Sequence, residues 1–78
     1  MILRMEHLAA LKEGETARVE KVDGQSEMCR RLRDLGLIPG TKVTCLGKSP
    51  AGDPTAYLIR GAVIALRAAD AKSVAVCL

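Results

Sequence analysis

The sequence predicts a mostly-β fold: a small barrel of about five short strands, with one short α-helix after the first strand and a helical turn near the N-terminus. Five short runs rich in Val, Ile, Leu and Thr are separated by glycine, proline and aspartate, the punctuation of a small all-β domain. A single segment near residue 30 carries apolar residues at helical spacing. The chain has 78 residues, room for one domain, taken as 1–78.

In chain order, His7-Leu8-Ala9-Ala10-Leu11-Lys12-Glu13-Gly14 places Leu8 and Leu11 three apart and ends in glycine, so it reads as one helical turn with a glycine stop. It is expected to pack as a lid on one end of the core. From Thr16 to Val22, Ala17 and Val19 alternate with Arg18 and Glu20, the period of a half-buried strand, until Asp23-Gly24 breaks it. Ser26 is placed to cap a helix whose apolar positions Met28, Leu32 and Leu35 share one face, with Arg30, Arg33 and Asp34 on the other. Glu27 with Arg31, and Arg30 with Asp34, stand four apart, the spacing of helix ion pairs. Gly36 fits the left-handed residue after the helix, and Leu37 beyond it can touch Leu32.

Ile38-Pro39-Gly40-Thr41 has proline second and glycine third, the arrangement of a type II turn. The later strands are expected over Thr41–Leu46, Ala56–Arg60, Ala62–Arg67 and Ser73–Leu78. Between them lie Ser49-Pro50-Ala51-Gly52-Asp53-Pro54, Gly61 and Ala68-Ala69-Asp70-Ala71.

Composition limits the function. Trp and Phe are absent and Tyr57 is the only aromatic, so the core rests on aliphatic side chains and has little volume for an enclosed substrate pocket. The net charge of +3 is a mild bias toward acidic partners, and Arg30, Arg31 and Arg33 are the only close group of basic residues. The three cysteines, Cys29, Cys45 and Cys77, are an odd number, and Met1-Ile2-Leu3-Arg4-Met5-Glu6 has no apolar signal-peptide core, which together predict reduced thiols in the cytosol. The longest apolar run, Ala62-Val63-Ile64-Ala65-Leu66, is far short of the roughly 20 residues that span a bilayer, so membrane association is expected only through a partner.

Chemical sites are weakly signalled. His7 and the three cysteines contain no Cys-x-x-Cys knuckle, so neither a protein-held metal nor a cofactor is expected. A cysteine or serine nucleophile lacks a base and orienting carboxylate nearby in sequence, so no enzyme activity is expected. Gly47-Lys48-Ser49 ends like a phosphate-binding loop, but Lys42 occupies the first glycine position and no helix follows.

Arg31-Leu32-Arg33-Asp34-Leu35-Gly36-Leu37-Ile38-Pro39-Gly40 resembles the Arg-Leu-x-x-Leu-Gly-[Leu/Met]-x-Pro-Gly signature of FeoA domains. Leu8-Ala9-Ala10-Leu11-Lys12-Glu13-Gly14 is similar to that family's opening Leu-x-x-Leu-x-x-Gly. Gly52-Asp53-Pro54 and Ile64-Ala65-Leu66-Arg67 match its Gly-Asp-Pro loop and following strand. The resemblance implies an SH3-like barrel serving as a cytoplasmic accessory of ferrous iron transport beside FeoB, a membrane transporter with a cytoplasmic G-protein domain. At family level it also carries iron homeostasis and transition-metal binding. A similar barrel forms the C-terminal domain of DtxR-type repressors, where a helix-turn-helix module precedes it; the lack of such a module here favours the transport accessory.

The expected contact surface is apolar. Leu58 alternates with Tyr57 and Ile59, and Ile64 and Leu66 with Val63 and Ala65, so both faces of these strands are apolar and a barrel interior takes only one set. Leu8 and Leu11 are expected to cover part of the second set. The remainder, around Leu58 with Leu37 and Ile38 at its rim, is the expected partner-binding surface, and Arg30 and Arg33 are either a second docking element or a solvated helix face. A nucleic-acid-binding barrel and a detached metalloregulator sensor domain stay open as alternatives, although one tyrosine makes no base-stacking platform. One exposed strand edge is expected, to be paired with another copy in a weak homo-oligomer or covered by the N-terminal segment.

Overall fold

The computed structural model describes residues 4–78; Met1, Ile2 and Leu3, part of the stretch read as lacking a signal-peptide core, lie outside the described residues. Strands β1 (Met5–His7), β2 (Thr16–Val22), β3 (Lys42–Lys48), β4 (Thr55–Ile59), β5 (Ala62–Leu66) and β6 (Val74–Cys77) form one antiparallel sheet in the order β1-β6-β2-β3-β4-β5. Helix α1 (Glu27–Asp34) follows β2, and α2 (Ala68–Ala71) links β5 to β6. The mostly-β class with one helix after the first predicted strand stands. The sheet is not closed into a barrel, and β1 and β5 are its two edges.

Two elements exceed the predicted set. β1 is only three residues long and becomes a strand because β6 offers it an edge, with Met5, Glu6 and His7 opposite Cys77, Val76 and Ala75. The segment read as a separator at Ala68–Ala71 is a helical turn whose first N–H, on Ala68, donates to Asp53 Oδ1 at 2.8 Å. The aspartate of the Gly-Asp-Pro loop thus satisfies a helix-start donor that would otherwise lack a partner.

The helix signals in the sequence were accurate at both ends of α1. Ser26 Oγ accepts the Cys29 N–H at 3.1 Å, and the same hydroxyl donates to Asp70 Oδ1 at 2.8 Å, tying α1 to α2. At the other end Leu37 N–H donates to Leu32 O and Gly36 N–H to Arg33 O, both at 3.0 Å, the paired bonds of a Schellman stop; Gly36 holds φ 94° there. This reversal corrects the predicted apolar face. Leu35, the C-cap residue just after the helix, is left 52% exposed, while Leu37 is folded back into the core beside Leu32 at 3%. The Ile38–Thr41 turn also forms, with Thr41 N–H donating to Ile38 O at 3.1 Å and Gly40 at φ 92°.

The expected ion pairs on α1 do not form; among the described residues the pairs are Arg4–Glu6 at 3.3 Å and Lys21–Asp23 at 3.4 Å. Arg33 instead turns to the backbone and donates to Val22 O and Gly24 O, bracing the β2–α1 connection.

The core gathers Leu8, Leu11, Ala17, Val19, Leu32, Leu37, Val43, Cys45, Tyr57, Ile59, Leu66, Ala71, Val74 and Val76, so the strand alternation sends Tyr57 and Ile59 inward and Leu58 outward. Leu8 and Leu11 are buried members of this core, and Tyr57 Oη donates to Leu8 O at 3.4 Å. They cover the inward set and not the outward one. The turn itself is a 3-10 helix over Leu8–Ala10 that stops at Leu11, and Gly14 belongs to the next turn, where Glu15 N–H donates to Lys12 O at 2.9 Å.

Candidate functional site

Four strands align one row of outward side chains. Thr16 stands opposite Thr44, Thr44 opposite Leu58, and Leu58 opposite Val63, so the row crosses β2, β3, β4 and β5 in register. The two threonine hydroxyls bond at 2.9 Å, and beyond them Leu58 and Val63 present apolar surface, 38% and 67% exposed. The next row is cationic: Arg18 is opposite Lys42, and Lys42 and Arg60 flank the Val43–Ile59 pair. A shallow hollow of about 370 Å³ lies between the rows, lined by Thr41, Lys42, Thr44, Leu58, Arg60 and Gly61, with no acidic side chain among them. Apolar surface beside unopposed positive charge suits a protein surface carrying leucine-like and carboxylate side chains.

The residues named from the sequence fall in three places. Leu58 lies at the centre of this face. Ile38, 59% exposed, projects from the turn whose last residue, Thr41, lines the hollow. Leu37 is buried and therefore packs rather than contacts. Arg30 is exposed on α1, while Arg33 is occupied by the Val22 and Gly24 carbonyls. Val63, Lys42 and Arg60 are surface residues that the sequence reading did not single out. Val63 was visible as one of two alternating sets, but only the sheet shows which set faces out.

Other chemistry finds little to work with. Among the described residues no three of His, Cys, Asp or Glu come together as a ligand group. Cys29 and Cys45 are buried and Cys77 half-buried, all as free thiols. Burial pushes the Cys45 thiol up from its ordinary value, which keeps it protonated and unreactive. Burial likewise raises the Tyr57 phenol, and since Tyr57 is the sole aromatic no ring is offered to a base.

Comparison with known families decides the identity. The FeoA domain model matches residues 6–77, nearly the whole chain. The chain belongs to the FeoA family. Among solved structures, the FeoA protein of Chlorobium tepidum is 36% identical with a TM-score of 0.82, covering 90% of this chain and 67% of its own. The Stenotrophomonas maltophilia FeoA, a zinc-bound procaryotic SH3 domain protein described as a candidate activating factor of ferrous iron transport, is 34% identical at TM-score 0.79, covering 90% and 87%. The FeoA-like protein of Clostridium acetobutylicum is 30% identical at TM-score 0.80, covering 92% and 84%. A manganese-dependent transcriptional repressor shares the fold at 18% identity and TM-score 0.79, over 97% of this chain and 42% of its own. No curated protein matches the sequence. FeoA membership links the chain to ferrous iron transport, and the SH3-like fold expected from the resemblance is that of these structures. Among the described residues no helix is long and apolar enough to cross a membrane.

Proposed function

We propose that this FeoA chain is a non-catalytic cytoplasmic module that docks on the cytoplasmic part of a FeoB-type ferrous iron transporter and supports or regulates it. The observation that carries the reading is the outward Leu58–Val63 pair, apolar and exposed beside the Lys42 and Arg60 cations, in a family tied to iron transport. Exposed apolar pairs of this kind form the desolvated centre of an interface, and Lys42, Arg60 and Ile38 supply its rim.

The test is a titration of purified variants against the transporter's soluble cytoplasmic domain. Leu58→Asp and Ile38→Asp should weaken binding by about tenfold or more, the scale of a buried contact residue. Arg30→Ala should change it by less than about threefold, as rim charges do. An arginine-dominated loss with steep salt dependence would replace the apolar surface by electrostatic docking.

A further inference from the structure

We infer that β5 is an acceptor edge, and that the protein partner adds an extended segment to it as a seventh strand, with apolar side chains at alternate positions and carboxylates at its ends. The inference rests on the docking reading above and specifies its mode.

The two sheet edges differ in a way that selects one. β1 is three residues long and carries Glu6, ion-paired to Arg4, so it is short and charged, the usual protection of an exposed edge. β5 is five residues long, Ala62-Val63-Ile64-Ala65-Leu66, without a charge or a proline. The N-terminal segment covers the edge of β6, and among the described residues no strand pairs with the outer edge of β5.

The hydrogen-bonding register shows what the edge offers. Arg60 and Gly61, both at positive φ, form a two-residue turn, so Ile59 and Ala62 are a bonded pair and bonding alternates from there. Leu58–Val63 and Ala56–Ala65 are then the non-bonded pairs. The N–H and C=O groups of Val63 and Ala65 point away from β4, toward the free edge.

A groove for side chains runs beside that edge. One hollow, about 260 Å³, lies between Met28 and Arg31 of α1, Leu35 just after it, and Val63, Ile64 and Ala65 of β5. A second, about 300 Å³, continues past Leu35 and Ile64 to Ile59 and Arg60. The exposed Leu35 is a wall of both. In an added strand every second side chain enters this groove, and the others extend the Leu58–Val63 surface.

Charge decides the occupant. The ionic groups lining the groove are Arg31 and Arg60, neither ion-paired among the described residues, and Arg67 follows the strand. Two copies of β5 paired antiparallel about Ile64 would bring Arg60 and Arg67 of one copy beside Arg67 and Arg60 of the other. A segment with carboxylates at both ends matches these cations.

The experiment uses a short synthetic peptide of alternating valine and threonine with aspartates at both ends, and in parallel the transporter's cytoplasmic domain. The peptide should slow amide exchange at Val63 and Ala65 of the full chain. Ala65→Pro, which removes an N–H that no native strand uses, should keep the melting temperature within a few degrees and weaken peptide and transporter binding by about tenfold, the scale of one or two main-chain bonds. Arg31→Glu, on the exposed helix face, should weaken both by about threefold or more without affecting folding, the scale of losing and reversing one rim charge. If transporter binding is intact in Ala65→Pro and in Arg31→Glu, strand addition is wrong and the docking reading stands. If the peptide protects Val63 and Ala65 while the wild-type chain ignores the transporter, the acceptor edge stands and the docking reading fails. Concentration-dependent protection of the same amides without peptide would make a second copy the occupant and overturn the inference.

Discussion

The guanidinium of Arg60 lies over Gly36: a Cβ on Gly36 would sit 3.5 Å from its Nε and 3.6 Å from its Cζ. This contact joins the β4–β5 turn to the C-terminal end of α1, where the free carbonyls favour a cation. It holds the rim of the outward hollow and the end of the α1–β5 groove in one place, because Arg60 lines both.

Gly36 is the first position where this arrangement is testable. The 3.5 Å approach is ordinary van der Waals contact, so a methyl fits, and the penalty comes from the backbone at φ 94°. Gly36→Ala should cost about 1–2 kcal/mol and Gly36→Val more, since a β-branched side chain fits that conformation worst. Thermal melts check the order, and a Gly36→Val melting temperature equal to wild type would contradict the Schellman stop.

Arg33 and Arg30 look alike in sequence and should behave differently. Arg33→Ala removes the donors to Val22 O and Gly24 O and is expected to cost about 1 kcal/mol, reduced from the value for buried charged bonds because the site is exposed. Arg30→Ala should stay within about 0.5 kcal/mol. Urea unfolding of the pair separates them, and equal midpoints would remove the structural role given to Arg33.

Leu37 and Ile38 are adjacent and opposite in role. Leu37→Ala empties a buried core position and should destabilise by about 2–5 kcal/mol, whereas Ile38→Ala at a 59% exposed turn should be near neutral. If Ile38→Ala proves as costly in chemical denaturation, the exposed placement of that side chain is wrong.

Alkaline pH should unfold the protein earlier than neutral pH. The buried Cys45 thiol and Tyr57 phenol are both raised from their ordinary values of 9.0 and 10.0, so the unfolded chain releases these protons at lower pH than the folded one. Their contribution to stability is complete below about pH 9 and is lost as pH rises through the raised folded values. Melting temperature should fall as pH rises above about 9, and the fall should be shallower in Cys45→Ala. An unchanged slope in that variant would exclude the thiol as a cause.

Features that depend on a few neighbouring residues were legible in the sequence. Ser26, Gly36 and Pro39-Gly40 set the start of α1, its stop and the turn after it, because capping bonds and positive φ are local requirements. Alternation set β2, runs rich in Val, Ile, Leu and Thr set β3 to β6, and the ordered motifs around Arg31–Gly40 and Gly52–Pro54 pointed to the family. Tertiary structure decided what no local pattern contains. β1 exists because β6 had an edge to pair, and α2 starts where Asp53 reaches Ala68 from fifteen residues away. Leu35 lost the core place that its helical spacing predicted, because the chain reversal at Gly36 put Leu37 there instead. With both faces of β4 and β5 apolar, alternation alone could not say whether Leu58 or Tyr57 faces the core. Burial of Tyr57 under Leu8 settles it and leaves Leu58 and Val63 on the surface, since a sheet this small has one interior to fill.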